Sequence, residues 1–243
     1  MYIMRRKDNA STTSRPAMNQ AISPLKPISP QSLVCMDSFV SKHPMVVDLA
    51  YAREDNFLFG ERIYRQGAQL WLHEDLANVV LDAAKRVHRA MGGRLVLYDG
   101  LRVKDAQSAM LKTKRVRDNP QWLEEPRLLS PPGAGGHPRG MAVDVSIIDA
   151  DEKLLDMGTP FDFLSDDPCP SVNAAHREHA HPRDILNNRA ILNDAMMGAA
   201  KHLDVALLPL PQEWWDYRLP HAVYESYAPL SDKDLPAHMR LMG

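Results

Sequence analysis

The segment GAGGHPRGMAVDVSIID, residues 133–149, constrains this chain more than any other. Its second half, MAVDVSII, is an apolar run of strand length with one carboxylate, Asp144, set inside it. A carboxylate in a buried strand is costly unless it is paired or bound to a cation, so the fold must bring Asp144 a positive partner. The first half is a loop in which Gly135, Gly136 and Gly140 permit tight backbone paths, and it carries His137 seven residues before Asp144. An imidazole and a carboxylate on a loop running into a strand are two of the ligands a metal site needs. A salt bridge from Asp144 to Arg102 or Arg139 would satisfy the same carboxylate without a metal.

QEWWDYR, residues 212–218, supplies the complement. Glu213 and Asp216 lie three residues apart around Trp214 and Trp215. The tryptophans imply a low-dielectric wall, where a glutamate has a raised pKa and can serve as general base and then acid. Read without chemistry, the segment is a core strand whose charges reach the rim. Together the two segments offer His137, Asp144 and Asp216 as metal ligands and Glu213 as base, the makings of a hydrolytic zinc site.

The rest of the chain sets the frame. Its 243 residues suffice for one domain plus a tail, and an apolar fraction of 44% supports a sizeable core. A formal charge of −2 without a basic stripe points away from nucleic acid, and no apolar run reaches the roughly 20 residues of a membrane span. Cys35 and Cys169 are too few for a disulfide scaffold, which fits a reducing compartment. The expected location is cytoplasmic, with the periplasm as the alternative. Residues 1–44 are about one-third Ser, Thr and Pro without apolar periodicity, and read as a flexible leader. Arg5, Arg6 and Lys7 open like a signal peptide, but no apolar stretch follows.

The folded domain is expected over residues 45–243. Strands are expected at 45–51, 94–100, 141–148 and 213–219, and helices at 74–91, 104–117 and 183–201. The first helix shows the 3.6-residue period through Leu76, Val79, Val80, Ala83, Ala84, Val87 and Met91, and stops at Gly92 and Gly93. Strands and helices interleave without a βαβ rhythm, so the fold class is α+β: a single domain with helices packed on a mostly antiparallel sheet. HREHAH, residues 176–181, has metal-like spacing but reads as a solvated loop between Pro170 and Pro182. KTKRVR, residues 112–117, reads as the solvated face of a helix.

Four motifs in order carry a family resemblance. HPRGMAVDVS resembles the H-x-R-G-x-A-x-D motif of the D-alanyl-D-alanine dipeptidases, which are zinc enzymes. YDGLR (residues 98–102) resembles that family's D-G-x-R, LLDMGTPFD (residues 154–162) resembles a further family segment, and EWWDY resembles E-W-W-H-Y. The resemblance runs from about residue 46 to about residue 224. It implies a zinc D-Ala-D-Ala metallopeptidase fold of the kind shared with hedgehog, and one Zn2+ per chain. It also implies His137 and Asp144 as ligands, Glu213 as the base that activates the attacking water, and Arg102 as the group that stabilises the oxyanion. On the substrate side it suggests Asp99, which would hold Arg102, and Asp156 and Asp162 as partners for a substrate ammonium. Turn and cap roles around Gly158 and Pro160 are the alternative for the last two.

The chain departs from the family at the third ligand, where Asp216 replaces histidine. A His–Asp–Asp set cancels the 2+ charge, which weakens water activation and moves preference toward Mn2+ or Fe2+. Asp216 is then a working ligand in a retuned site or the mark of a disabled one, with His221 as a possible substitute. Gly135 stands where the family often has serine. The activity implied is metal-dependent hydrolysis of a small D,D-dipeptide such as D-alanyl-D-alanine, with no nucleic-acid or membrane partner and the oligomeric state left open. The alternatives are a D,D-carboxypeptidase on peptidoglycan stems and a non-catalytic binding homologue.

Overall fold

The structure is a computed structural model that describes residues 24–125 and 127–243. The expectation of a leader over residues 1–44 falls partly outside these. Within them, residues 24–44 are folded onto the domain. A short strand, β1 (Leu33–Cys35), follows a 3-10 turn at Pro30–Ser32, and Met36 behind it is fully buried. The Ser/Pro-rich composition concealed this strand because its stability comes from tertiary pairing rather than from local pattern.

β2 (Met45–Val47) is shorter than the expected 45–51. The chain leaves the sheet after Asp48 and winds a 3-10 turn at Ala50–Ala52, which turns the buried Tyr51 toward the site. β3 (Trp71–His73) pairs antiparallel with β1 and leads into α1 (Glu74–Met91), whose first turn is capped by the His73 side chain, its Nδ1 accepting from the Asp75 N–H. The apolar face of α1 is buried as its period requires, and Gly92, at φ 71°, closes it in the left-handed conformation that glycine adopts without a Cβ clash.

β4 (Arg94–Asp99) follows. The single helix expected over 104–117 is broken into α2 (Lys104–Met110) and α3 (Lys114–Asp118). Thr113 makes the break: its hydroxyl donates to the Met110 carbonyl at 2.9 Å and accepts from the Val116 N–H at 3.4 Å, ending one helix and capping the next. β5 (Ala142–Ile148) is buried along its whole length. α4 (Arg183–His202) packs on α1, and β6 (Leu208–Pro209), β7 (Asp216–Arg218) and the single-turn helix α5 (His221–Tyr224) complete the domain. Only Asp216–Arg218 of the strand expected over 213–219 lies in the sheet, because residues 210–213 turn between β6 and β7.

The main sheet has the order β2-β4-β5-β7-β6, antiparallel except for the β2–β4 pair. This is the expected α+β fold with packed helices on a mostly antiparallel sheet. No helix of the described residues is long and apolar enough to cross a membrane.

Candidate metal centre and active site

Strand register builds the site. Asp99 on β4 stands opposite Asp144 on β5, and Asp144 stands opposite Asp216 on β7. Directly paired residues project from the same face of a sheet, so three carboxylates form one row across three strands. A register shift between Leu97 and Asp99 brings Asp99 into the row. Like charges at this spacing repel, and burial raises the cost, so the row requires cations.

The protein supplies three. Arg102, three residues after Asp99, donates from Nε to Asp99 Oδ2 at 2.7 Å and from Nη2 to Asp144 Oδ2 at 3.2 Å. Its guanidinium lies over the Tyr51 ring, 4.9 Å from the centroid. The salt bridge to Asp144 inferred from sequence is therefore made by Arg102. Arg139 turns away to the carbonyls of Tyr227, Gly133 and Gly135. Arg218 binds both oxygens of Asp216, with Nε to Oδ1 at 2.7 Å. His137 occupies the centre.

The loop holds His137 by its backbone. Gly140, at φ 64°, lets the chain reverse against β3, where a Cβ would come within 3.0 Å of the His73 nitrogen. Gly100 lies so close to β3 that a Cβ would sit 2.8 Å from the Trp71 carbonyl oxygen, and its own carbonyl meets His137 Nδ1 at 2.8 Å. Nδ1 must be the donor in that bond, which aims Nε2 at Asp144 Oδ1 (3.6 Å) and Asp216 Oδ2 (3.3 Å). Burial and Arg102 oppose an imidazolium here, yet Asp144 and Asp216 outweigh them and push His137 up to about 10. The space between these groups thus favours positive charge.

Asp144 Oδ1 is buried with no hydrogen-bond partner among the described residues. An orphaned carboxylate oxygen beside an aimed imidazole nitrogen fits a divalent cation. Asp99, His137 and Asp144 also bring ligand atoms within 4.8 Å of one another. However, Asp99 faces the Nδ1 side of the ring and already accepts from Arg102 and, at 2.8 Å, from the Tyr64 hydroxyl. Its contacts are those of a group that orients its neighbours.

Arg102, His137, Asp144, Asp216 and Arg218, but not Asp99, open onto a cavity of about 330 Å³ that also exposes Tyr51, Asp162 and Glu213. Burial, followed by the charges of Asp216 and Asp144, raises Glu213 to about 7. Asp162 is buried at φ 63°, accepts from the Tyr51 hydroxyl at 3.0 Å through Oδ1, and leaves Oδ2 without a partner among the described residues. Burial and the nearby Asp144 raise it well above the carboxylate range. Burial also raises Asp99, against Arg102 and His137. Asp216 moves the other way: burial opposes its ionisation, but Arg218 and His137 hold it well below the usual range.

Two expected participants stand apart. Asp156 is exposed, lies outside the cavity lining, and accepts from the Gly158 N–H at 2.8 Å as a turn residue. His221 is exposed and pairs with Glu225 at 2.9 Å. The 176–181 segment is a packed platform rather than a solvated loop. His179 and His181 bond the carbonyls of Pro170 and Ala174, and Arg189 bonds those of Met157, His176 and Ala174.

Arg177 in that platform reaches the Leu210 carbonyl at 2.9 Å, the Asp216 carbonyl at 2.8 Å and the Tyr217 hydroxyl at 3.0 Å. It clamps the hairpin that carries Glu213 and Asp216, a role the sequence did not disclose. Arg177→Ala is expected to cost about 2–4 kcal/mol, since three acceptors in a partly buried setting lose a charged donor. Urea denaturation of the variant checks this, and an unchanged midpoint would show that the clamp is dispensable.

A buried imidazole–carboxylate cluster on a mixed sheet, opening onto a cavity, is a candidate metal site. The chain belongs to the D-ala-D-ala dipeptidase family of peptidases, whose family model matches residues 31–233. It is 30% identical over 191 residues to the D-alanyl-D-alanine dipeptidase of Escherichia coli (strain K12), an alignment that spans 77% of this chain and 84% of that protein. A remoter likeness, at 16% identity and a TM-score of 0.37, is to the L-Ala D-Glu endopeptidase ChiX of Serratia marcescens, over 63% of this chain and 84% of that one.

Proposed function

We propose that this protein hydrolyses D-alanyl-D-alanine, or a close D,D-dipeptide, to free D-amino acids, with a divalent metal held by His137, Asp144 and Asp216. The observation that carries this reading is the position of His137 Nε2, 3.6 Å from the orphaned Asp144 Oδ1 and 3.3 Å from Asp216 Oδ2, beside a cavity that also exposes Glu213. When bound, the metal supplies Lewis acidity toward water and the scissile carbonyl. Glu213, with a pKa near neutrality, takes the proton from the attacking water and returns it to the leaving amine. Arg102, fixed by Asp99 and Asp144, places a cation beside the negative charge that develops on the carbonyl oxygen. Asp162, with its unpartnered oxygen, receives the free ammonium of the dipeptide.

Two measurements test the substrate end. Hydrolysis of D-alanyl-D-alanine is compared with that of its N-acetylated form. The expected outcome is hydrolysis of the free dipeptide and at least about a 100-fold loss on acetylation, because a site built to bind an ammonium leaves Asp162 unpaired when that charge is missing. Equal or faster turnover of the acetylated peptide would favour a D,D-carboxypeptidase. Asp162→Asn is expected to raise KM at least about tenfold while stabilising the protein by about 1 kcal/mol, since a buried, poorly satisfied carboxylate becomes a neutral amide that tolerates positive φ. A thermal melt beside the kinetics reads both. Unchanged KM would remove Asp162 from the site.

The pH profile follows from Glu213. The base must be ionised, so kcat/KM is expected to rise with pH, with its acidic limb at or somewhat below 7, because a nearby dication lowers the pKa further. A rate that falls as pH rises through this range would assign Glu213 a different role.

A further inference from the structure

The Arg218–Asp216 pair lies within the proposed metal site and alters what Asp216 presents to a cation. Arg218 sits two residues beyond Asp216 on β7, so both side chains leave the same face of the strand. The guanidinium grips the carboxylate through Nε and Nη2, and the Arg218 side chain lines the cavity and is only 19% exposed. Asp216 Oδ2 meets His137 Nε2 as well as Arg218, so the arginine and a cation at the His137–Asp144 point would act on one carboxylate.

We propose that Arg218 is a charge-compensating residue of the metal site: by neutralising Asp216, it makes this aspartate the electrostatic equivalent of a neutral ligand. The inference rests on the metal reading given above. A His137–Asp144–Asp216 set alone carries two negative charges, which cancel a divalent cation and weaken its action on water. With Arg218 included the set carries one, the same as two imidazoles and a carboxylate. The arginine thus removes the excess charge that the sequence suggests for this site. It also lowers raw cation affinity, because a bound guanidinium and a divalent ion repel each other.

This gives an expectation opposite to the intuitive one for a histidine at position 216. Asp216→His alone leaves Arg218 beside a neutral ring, so the site gains a positive charge and loses affinity. Zn2+ and Mn2+ are titrated calorimetrically into the chelator-treated full chain as wild type, Arg218→Met, Asp216→His and the double variant, with Asp144→Asn as the site control. Circular dichroism verifies the fold. Removing Arg218 is expected to tighten binding about 10- to 100-fold in both backgrounds, the scale on which groups supporting metal ligands act. The double variant, which buries no unpaired charge, keeps the test informative if Arg218→Met is unstable. Equal affinity of Asp216→His and the double variant would overturn the proposal by showing that Arg218 does not act on the metal. Weaker binding without Arg218 in both backgrounds would overturn it too, because the arginine would then serve only to hold Asp216 in place. Failure of the wild type to bind either ion, or binding undiminished in Asp144→Asn, would overturn the metal reading itself and the proposal with it.

Discussion

Glu213→Gln is expected to lower kcat/KM for D-alanyl-D-alanine by about 10³-fold or more while leaving the fold intact, within the range for loss of an essential general base. The glutamine keeps the size of the side chain, so the cavity wall formed with Trp215 is preserved, but it cannot accept a proton. Removing a group whose ionisation is opposed by burial, Asp216 and Asp144 also relieves repulsion at neutral pH. The raised carboxyl makes the folded state easier to protonate than the unfolded one. Glu213 therefore costs stability as pH rises from its unfolded value toward about 7, and the glutamine variant escapes that loss. Steady-state kinetics with a urea melt at pH 5 and pH 8 separates the effects. An active glutamine variant would remove Glu213 from the mechanism.

Arg102→Ala has the largest structural consequence. Arg102 bridges Asp99 and Asp144, which are 0% and 2% exposed, and stacks on Tyr51. Its loss leaves two buried carboxylates without their cation, and breaking such a network costs about 3–5 kcal/mol. Catalysis is expected to fall as well, because the proposed mechanism places this cation beside the carbonyl oxygen. Arg102→Lys separates the two: a lysine returns one charge but cannot bond Asp99 and Asp144 in the planar geometry of a guanidinium. It is expected to recover much of the stability and little of the rate. Recovery of both would show that Arg102 acts only as a nearby charge.

Much of the candidate site was legible in the sequence because its residues cluster locally. His137 and Asp144 share one loop and strand, and Glu213 and Asp216 share one hairpin, so short motifs carried them. The row Asp99–Asp144–Asp216 was not legible, because register between distant strands leaves no local trace. Tyr51 and Tyr64 gave no signal of a place in the site: both are buried, and the fold alone brings their hydroxyls to donate to Asp162 and Asp99. Arg218 was within reach: a strand through residue 216 places residue 218 on the same face, and that spacing gave the signal. Arg177 gave none, since its acceptors are mostly backbone carbonyls brought close by the tertiary fold. In the fold, α1 was readable to its last residue from periodicity and its glycine stop, whereas β1 and β6, with three and two residues, were too short to show a pattern.

The most direct test of the central claim is the release of free D-alanine from D-alanyl-D-alanine by the purified protein, after chelator treatment and again after Zn2+ or Mn2+ is restored. The account expects no release with chelator and recovery with at least one metal, in a form that Glu213→Gln abolishes. No release with either metal, or release that persists in chelator, would contradict it.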